Sequence, residues 1–316
     1  MKKILRVGFS FFLFLFVSCD SNETLLESQE TNVEHVSVVL EDLKYEDASS
    51  RLALSENMTE YLWQDKDTLG IFPNVGGQVE FPITGEDVGK KFANFTGGGW
   101  ALRGGYFYSA YYPYNFYNRN SRVIPISYLG QVQKGNDNRN HLRQYMYFAS
   151  APVQVANGVL AFNLQHAGVV QRLTLTMPVA KNWSSVSVYS DTEVFPVKST
   201  LNLQETGGPQ TAISYSDRIS IELNDVKTTQ ANQNIVVWLV FPVTTASTHP
   251  LKVMVRDSEG YAYVANVTKN DGTQALASFN KGTIQLRKAS PTLQSGMNSG
   301  ISGWEDSDED YGGTLK

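Results

Sequence analysis

The chain has a single cysteine, and its position gives it the most distinctive chemistry in the sequence. Cys19 follows Ser18 at the end of an apolar run of residues 7–17, which is preceded by a positively charged start at residues 2–6. A positive segment, a short apolar run and a small residue before the cleavage site indicate a secretory signal peptide. A cysteine directly after that site can accept a diacylglycerol, which anchors a protein to a membrane. We therefore predict that residues 1–18 are removed and that Cys19 is lipidated; a plain secretory signal is the alternative.

Arg51 is the second residue whose chemistry the sequence suggests. It follows small polar residues in a linker between two apolar segments, residues 33–40 and 52–54. An arginine in an exposed linker is a target for a trypsin-like protease, although many arginines in such places are only solvated. Upstream, the acidic residues 19–32 have little apolar surface to bury, and we predict that they form a lipidated tether.

The other reactive side chains form no catalytic or metal-binding pattern. The histidines are far apart and have no cysteine beside them, so the spacing of metal ligands is missing. They are His35, His141, His166 and His249. Asp65 and Asp67 are close enough in sequence to form a catalytic pair, but two acids in a turn are more often solvated. We therefore predict no enzymatic activity, no metal and no cofactor.

Composition limits the partners and favours β-structure. The net charge is −5 and charged residues make up 18% of the chain, which argues against nucleic acid as a partner. The 16 tyrosines, 16 phenylalanines and 25 glycines favour strands and turns over helices. Because the one cysteine is assigned to lipid, no disulfide is expected to stabilise the protein.

Alternating apolar residues predict the strands that carry these features. Val36, Val38 and Leu40 fall on one face of residues 33–40, which we predict to be an N-terminal strand. Similar segments recur along the chain between Gly, Asn and Pro residues, although residues 119–140 have mostly the character of a polar loop. The pattern predicts an all-β fold of antiparallel sandwiches.

Two domains and a tail account for the mature chain. We place an N-terminal β-sandwich domain at residues 33–154, a C-terminal β-sandwich domain at residues 155–290 and a tail at residues 291–316. The boundary lies near Asn157 and Gly158, a pair of residues typical of a tight hairpin turn.

Taken in order, several motifs resemble those of the fimbrillin family, which comprises pilin-like outer-membrane lipoproteins of Gram-negative gut and oral anaerobes. The matching pieces are Trp63 with Asp67, Leu69-Gly-Ile-Phe72, Ala110-Tyr-Tyr-Pro-Tyr114, Met146, Phe162-Asn-Leu-Gln-His-Ala-Gly168 running into Leu173-Thr-Leu175, Phe279-Asn-Lys-Gly282 and Trp304. The resemblance implies two transthyretin-like antiparallel β-sandwich domains in tandem. It also implies export to the outer membrane and cell surface and a structural or adhesive role in fimbriae, as a stalk, tip, accessory or anchor subunit.

The resemblance also gives the N-terminal residues a role in assembly. In the family, proteolysis after an arginine removes the N-terminal strand, and a strand of a neighbouring subunit fills the exposed groove. Here Arg51 would be the cleaved residue, and Val36, Val38 and Leu40 would leave with the removed strand. The partners would be other fimbrial subunits or further copies of this chain.

The tail is the candidate donor strand. Leu293, Met297 and Ile301 lie on one face of an extended segment, as a strand entering an apolar groove requires. The acidic residues 305–310 would have to lie beyond that groove, because unpaired carboxylates are costly to bury. A disordered tail is the alternative.

A different class of function is a surface lipoprotein that binds a glycan or a host ligand without polymerising. Its candidate platform is an aromatic segment, because flat aromatic faces can stack on sugar rings. The residues are Tyr106, Tyr108, Tyr111, Tyr112, Tyr114, Phe116 and Tyr117. Packing in a core explains the same residues. Exposure of the rings to solvent would favour binding, and burial would favour packing.

Overall fold

The computed structural model describes residues 36–40, 44–45, 61–97, 102–103, 105–204, 210–244, 247–279 and 283–294. They form an all-β protein, as predicted. In the first part of the chain the strands are β1 (Val36–Leu40), β2 (Lys44–Tyr45), β3 (Thr68–Pro73), β4 (Val79–Pro82), β5 (Phe92–Phe95), β6 (Phe107–Tyr112), β7 (Val123–Ser127), β8 (Gln131–Lys134), β9 (Phe148–Ala149), β10 (Val153–Gln154) and β11 (Leu160–His166).

In the second part the strands are β12 (Gly168–Met177), β13 (Asn182–Tyr189), β14 (Phe195–Asn202), β15 (Gln210–Ser216), β16 (Arg218–Lys227), β17 (Gln233–Pro242), β18 (Lys252–Asp257), β19 (Ala262–Asn266), β20 (Thr268–Lys269), β21 (Thr283–Ala289) and β22 (Thr292–Leu293). Short 3-10 helices occur at Gly85–Asp87, Phe116–Asn118 and Asn140–Tyr145. Among the described residues, no helix has the length and apolar character needed to cross a membrane.

The first sheet is built from the N-terminal part of the chain and nearly closes on itself. Its strand order is β4-β3-β6-β9-β11-β1-β5, with β10 paired to β6. The two outer strands meet where Ile83 forms a bridge to Phe95 and where Thr84 N donates to Asn94 O at 3.0 Å. This contact joins the two ends of the sheet and covers edges that would otherwise be open.

The second sheet, of order β17-β12-β21-β2 with β20 paired to β21, is buried on both faces. Val170 and Trp238 pack into the core of the first sheet. Leu173 and Phe241, on the opposite face, pack into a second core. A strand buried on both sides has an unbroken apolar sequence, and residues 235–242 of β17 are all buried and apolar or proline. This sheet is therefore the wall shared by the two cores.

The remaining strands pack on the second core, with β7 and part of β14 also packing on the first core, and they cross the predicted domain boundary. They form a sheet of order β22-β19-β18-β13-β16-β8 and a smaller sheet of order β15-β14-β7. Here β7 and β8 come from the N-terminal side of residue 154, whereas β11 comes from the C-terminal side and pairs with β1 in the first sheet. Sheet membership thus links the two halves rather than separating them at residues 154/155.

Two turns follow directly from the sequence. Asn157 and Gly158 have φ angles of 52° and 75°, and Ala156 bridges to Val159, as expected of an Asn-Gly hairpin. At the start of β12 lies Gly168, where a Cβ atom would lie 2.9 Å from Phe241 O. Glycine is required there because of this close backbone approach.

The outer edge of β17 is capped by side chains of β8. The Gln131 amide pairs with Val240, with Nε2 donating to Val240 O and Oε1 accepting from Val240 N, both at 2.8 Å. Gln133 Nε2 donates to Val236 O at 2.8 Å, and its Oε1 accepts from Trp238 N at 2.9 Å. Both glutamines are fully buried. They satisfy the backbone of an edge strand in the way that a neighbouring strand would.

Two further side chains complete this cap. Asn136 Oδ1 accepts from Val236 N at 2.7 Å, and His141 Nε2 donates to Trp238 O at 2.9 Å. Burial lowers the pKa of His141, because the apolar surroundings disfavour the charged ring. The residues from Gln131 to His141 therefore act together as a substitute strand along β17.

Candidate functional site: the N-terminal strand and its groove

The N-terminal strand β1 lies inside the first sheet. It pairs in parallel with β11 over all five residues and antiparallel with β5 over four. Val36 and Val38 have no exposed surface, and Leu40 is 3% exposed. Removal of β1 would therefore uncover the backbone of two neighbouring strands and an apolar groove beneath them.

The opposite face of β1 is more open. Val39 is 40% exposed, and Ser37 is half-buried. The alternation predicted from the sequence thus holds, with Val36, Val38 and Leu40 facing the core. The pairing partners were not predicted, because they join residues more than fifty positions apart in the chain.

Asp87 fixes the strand beside β1. Its carboxylate accepts from Lys90 Nζ at 2.8 Å, from Asn94 N at 2.8 Å and from Asn94 Nδ2 at 3.0 Å. Asn94 Oδ1 in turn accepts from Ser37 Oγ at 2.9 Å. Hydrogen bonds from Lys90 and then from the Asn94 backbone lower the pKa of Asp87 from 3.8 to about 2. A charged Asp87 therefore holds Asn94 where it can bond to β1.

The segment after β1 reaches the second sheet. In β2, Lys44 and Tyr45 pair in parallel with Thr283 and Ile284 of β21. Residues 36–45 therefore contribute strands to two sheets. Cys19 and Arg51, the predicted lipidation and cleavage sites, lie outside the described residues.

The start of the tail forms an edge strand in this structure. Leu293 in β22 pairs with Tyr263 of β19 and is 54% exposed. It therefore does not occupy an apolar groove here. Met297 and Ile301, the other predicted donor residues, lie outside the described residues.

The predicted aromatic platform is wrong for three of its tyrosines. Tyr108, Tyr111 and Tyr112 are buried, and only Tyr114 is half-buried. The reason is that β6 is an interior strand, paired with β3 on one side and with β9 and β10 on the other. The structure therefore supports the packing interpretation of these rings.

The most exposed aromatic side chains of this segment lie immediately after this strand. Phe116 is 51% exposed and Tyr117 is 92% exposed, on the 3-10 turn that follows β6. Sequence periodicity did not separate them from their buried neighbours, because eight aromatic residues lie within residues 106–117.

Asp67 is a structural residue and not a solvated acid. It is 4% exposed and accepts from the Tyr112 hydroxyl at 2.7 Å and from Arg143 Nε at 3.0 Å. Burial, and then the Asp67 charge, raise the pKa of Tyr112. Arg143, which the sequence did not single out, links this acid to the 3-10 helix at Asn140–Tyr145. Asp65 is exposed, so the two acids do not form a pair at one site.

A metal centre is not evident in the part of the chain that the structure describes. No group of three or more His, Cys, Asp or Glu side chains there is arranged to hold a metal ion. His166 is buried at the end of β11, with its Nδ1 atom 3.5 Å from the Tyr61 hydroxyl.

Comparisons with known proteins identify the fold. Searches of the sequence against protein-family models and curated proteins find no match. Solved structures do resemble it. A putative cell adhesion protein from Bacteroides uniformis aligns with a TM-score of 0.50 at 16% identity, covering 74% of this chain and 93% of that protein. One from Bacteroides ovatus aligns with a TM-score of 0.53 at 12% identity, covering 82% and 94%. The chain therefore shares its fold with these two Bacteroides proteins.

Proposed function

We propose that this protein is a structural or adhesive subunit of surface fimbriae and that it has no enzymatic activity. It is exported as an outer-membrane lipoprotein through Cys19 and assembles by strand exchange after cleavage at Arg51. The observation that carries the proposal is the position of β1, an N-terminal strand that fills a buried slot between β11 and β5. The names of the two Bacteroides proteins support an adhesive role at the cell surface.

The energetics of β1 explain why cleavage would release it. Burial of Val36, Val38 and Leu40 stabilises the strand by about 1.5–3 kcal/mol each, about 5–9 kcal/mol together as an upper bound. The conformational entropy lost when its five residues become ordered costs a similar amount of free energy, about 5–10 kcal/mol. The covalent link to the body of the protein therefore matters, because it supplies an effective concentration on the order of millimolar. Cutting at Arg51 removes that advantage and leaves the slot open to a competing strand.

The replacement strand would come from the tail of another subunit. The tail emerges at β22 on the edge of a sheet, where only two of its residues are paired in the described structure. A strand that adds to β11 and β5 recovers the backbone hydrogen bonds of both neighbours, and alternate side chains such as Leu293, Met297 and Ile301 recover the buried apolar contacts.

Controlled proteolysis tests this assembly scheme. The purified protein is treated with an arginine-specific protease, and its N-terminus and molar mass are measured by mass spectrometry and light scattering. We expect the parent protein to begin at Leu52 and to form multimers, whereas an Arg51→Ala variant stays intact and monomeric. A variant ending at Gln294 should be cleaved but should not form multimers.

Each part of the proposal has its own contradicting result. Cleaved protein that has lost β1 and remains monomeric would contradict strand exchange. An N-terminus upstream of Arg51 on protein taken from cell surfaces would contradict processing there. A terminal peptide with an unmodified Cys19 would contradict the lipid anchor.

A further inference from the structure

The turn after β6 carries an unusual amount of exposed aromatic surface. Tyr117 is 92% exposed and Phe116 is 51% exposed, and their ring centroids lie 6.0 Å apart at an interplanar angle of 81°. Exposed single aromatic residues are common, but two adjacent rings on one turn form a contiguous apolar patch. Neither ring is buried in the core, so packing does not account for these aromatic residues, and both rings are accessible to a partner.

A hydrogen-bond network holds this turn in place. The Tyr111 hydroxyl donates to Gln78 Oε1 at 2.7 Å and accepts from Asn115 N at 3.0 Å. Gln78 Nε2 donates to Asn115 O at 2.7 Å, and Asn115 Oδ1 accepts from Tyr117 N at 2.9 Å. The buried Tyr111 side chain thus anchors the turn to the sheet through its hydroxyl group.

The far end of the turn is also fixed. Gln78 N donates to Arg119 O at 2.9 Å. A Cβ atom at Gly77 would lie 2.9 Å from the same Arg119 oxygen, which shows how closely the two backbones approach. Rings held on a rigid turn lose little conformational entropy when they bind a partner.

A guanidinium group lies beside the two rings. The Arg119 Cζ atom is 4.1 Å from the centroid of the Phe116 ring. Among the described residues, no carboxylate forms an ion pair with Arg119. Asn120, next to it, is exposed and offers an amide. The patch therefore combines exposed aromatic surface, a positive charge that forms no ion pair with the described residues and a neutral hydrogen-bonding group.

From this combination we propose that Phe116, Tyr117 and Arg119 form a binding site for a saccharide that bears a carboxylate. The C–H face of the sugar ring packs on Tyr117, which is the more exposed ring. Arg119 binds the carboxylate, since guanidinium and carboxylate groups match in charge and geometry. This site, on the turn after β6, would recognise a ligand and takes no part in assembly at β1. The proposal can therefore be tested independently of strand exchange.

Ligand titrations with the full-length protein test the site. The probes are 3′-sialyllactose, which carries a carboxylate, and lactose, which does not, and binding is followed by saturation-transfer NMR and calorimetry. We expect sialyllactose to bind about tenfold more tightly than lactose, a difference of about 1.4 kcal/mol. Tyr117→Ala should lower the affinity for both ligands by at least about tenfold, and Tyr117→Phe should retain binding.

Matched variants separate charge from stacking. Arg119→Gln should reduce the affinity for sialyllactose to that for lactose and leave lactose unchanged. Tyr215→Ala, which removes a ring 53% exposed on β15, should change neither affinity. Equal affinities for the two sugars, or an unchanged affinity in Tyr117→Ala, would overturn the proposal. Tyr117-dependent adhesion to fully deglycosylated mucin, with neither sugar bound, would also overturn it and point to a protein partner.

Discussion

At the scale of single residues, the packing of the first sheet depends on a close contact between a glycine and a tyrosine ring. Gly70 on β3 lies directly under the Tyr111 ring, so that a Cβ atom at this position would overlap the ring. Tyr111 cannot move easily, because it is buried and its hydroxyl supports the turn that carries Tyr117. The glycine is thus a packing requirement, and its backbone conformation is not the reason for it.

Gly70→Ala should destabilise the protein by about 1–3 kcal/mol, since overpacking forces side chains from their preferred positions. Urea denaturation measures the change. The control is Gly85→Ala, where no atom lies within 4 Å of the added Cβ and little change is expected. Equal stability of the two variants would contradict the packing role of Gly70.

Asp87 makes stability depend on pH in a defined range. Its folded-state pKa of about 2 lies below the ordinary value of 3.8. The carboxylate therefore contributes stability above about pH 4, and this contribution is lost as the pH falls toward 2. The Asp87→Asn variant should therefore lose less stability than the parent protein between about pH 4 and about pH 2. Thermal unfolding measured across this pH range checks the difference. Asp65→Asn, at an exposed acid, should keep the parent's profile.

At the scale of elements, local patterns predicted strands well and their partners poorly. The alternation of Val36, Val38 and Leu40 is a local signal, and β1 has the predicted buried face. Its pairing with β11 is a long-range contact that no local pattern contains. The burial of Tyr111 and Tyr112 could not be predicted either, because a run of aromatic residues does not reveal which strands flank it.

The strand β8 shows a different kind of limit. Gln131 and Gln133 occupy alternate positions on one face of β8, as buried apolar residues would. Because their side chains are polar, the sequence suggested a loop at this position. They are buried because each amide satisfies the backbone of β17. A glutamine that replaces strand pairing can be recognised only when the facing edge is known.

Gln133→Ala should therefore destabilise the protein by about 1–3 kcal/mol for each buried backbone group left without a partner. Hydrogen exchange should show faster exchange at Trp238 N, which donates to Gln133 in the parent protein. Val132→Ala, at an exposed position on the same strand, is the control and should change neither property. Unchanged exchange at Trp238 in Gln133→Ala would contradict the capping role.

At the scale of the whole molecule, the shared sheet determines cooperativity. One face of the second sheet belongs to the first core and the other face to the second core. Loss of either core would expose a face of the same strands. The all-β class was predictable from composition and alternation, whereas this sharing depends on strands that cross the predicted boundary at residues 154/155.

The two halves should therefore unfold in a single transition. Scanning calorimetry checks this by comparing the calorimetric and van't Hoff enthalpies, which agree for two-state unfolding. Two separated transitions would show that each half is stable alone. As a control, Val75→Ala, at a residue 70% exposed in the first half, should leave the single transition in place.

The substitute strand along β17 has a consequence for molecules crowded on a surface. Backbone groups already bonded to Gln131, Gln133, Asn136 and His141 are unavailable as a template for the chain of a neighbour. We therefore expect this edge of β17 not to start amyloid-like stacking between copies of the protein, even at high local concentration.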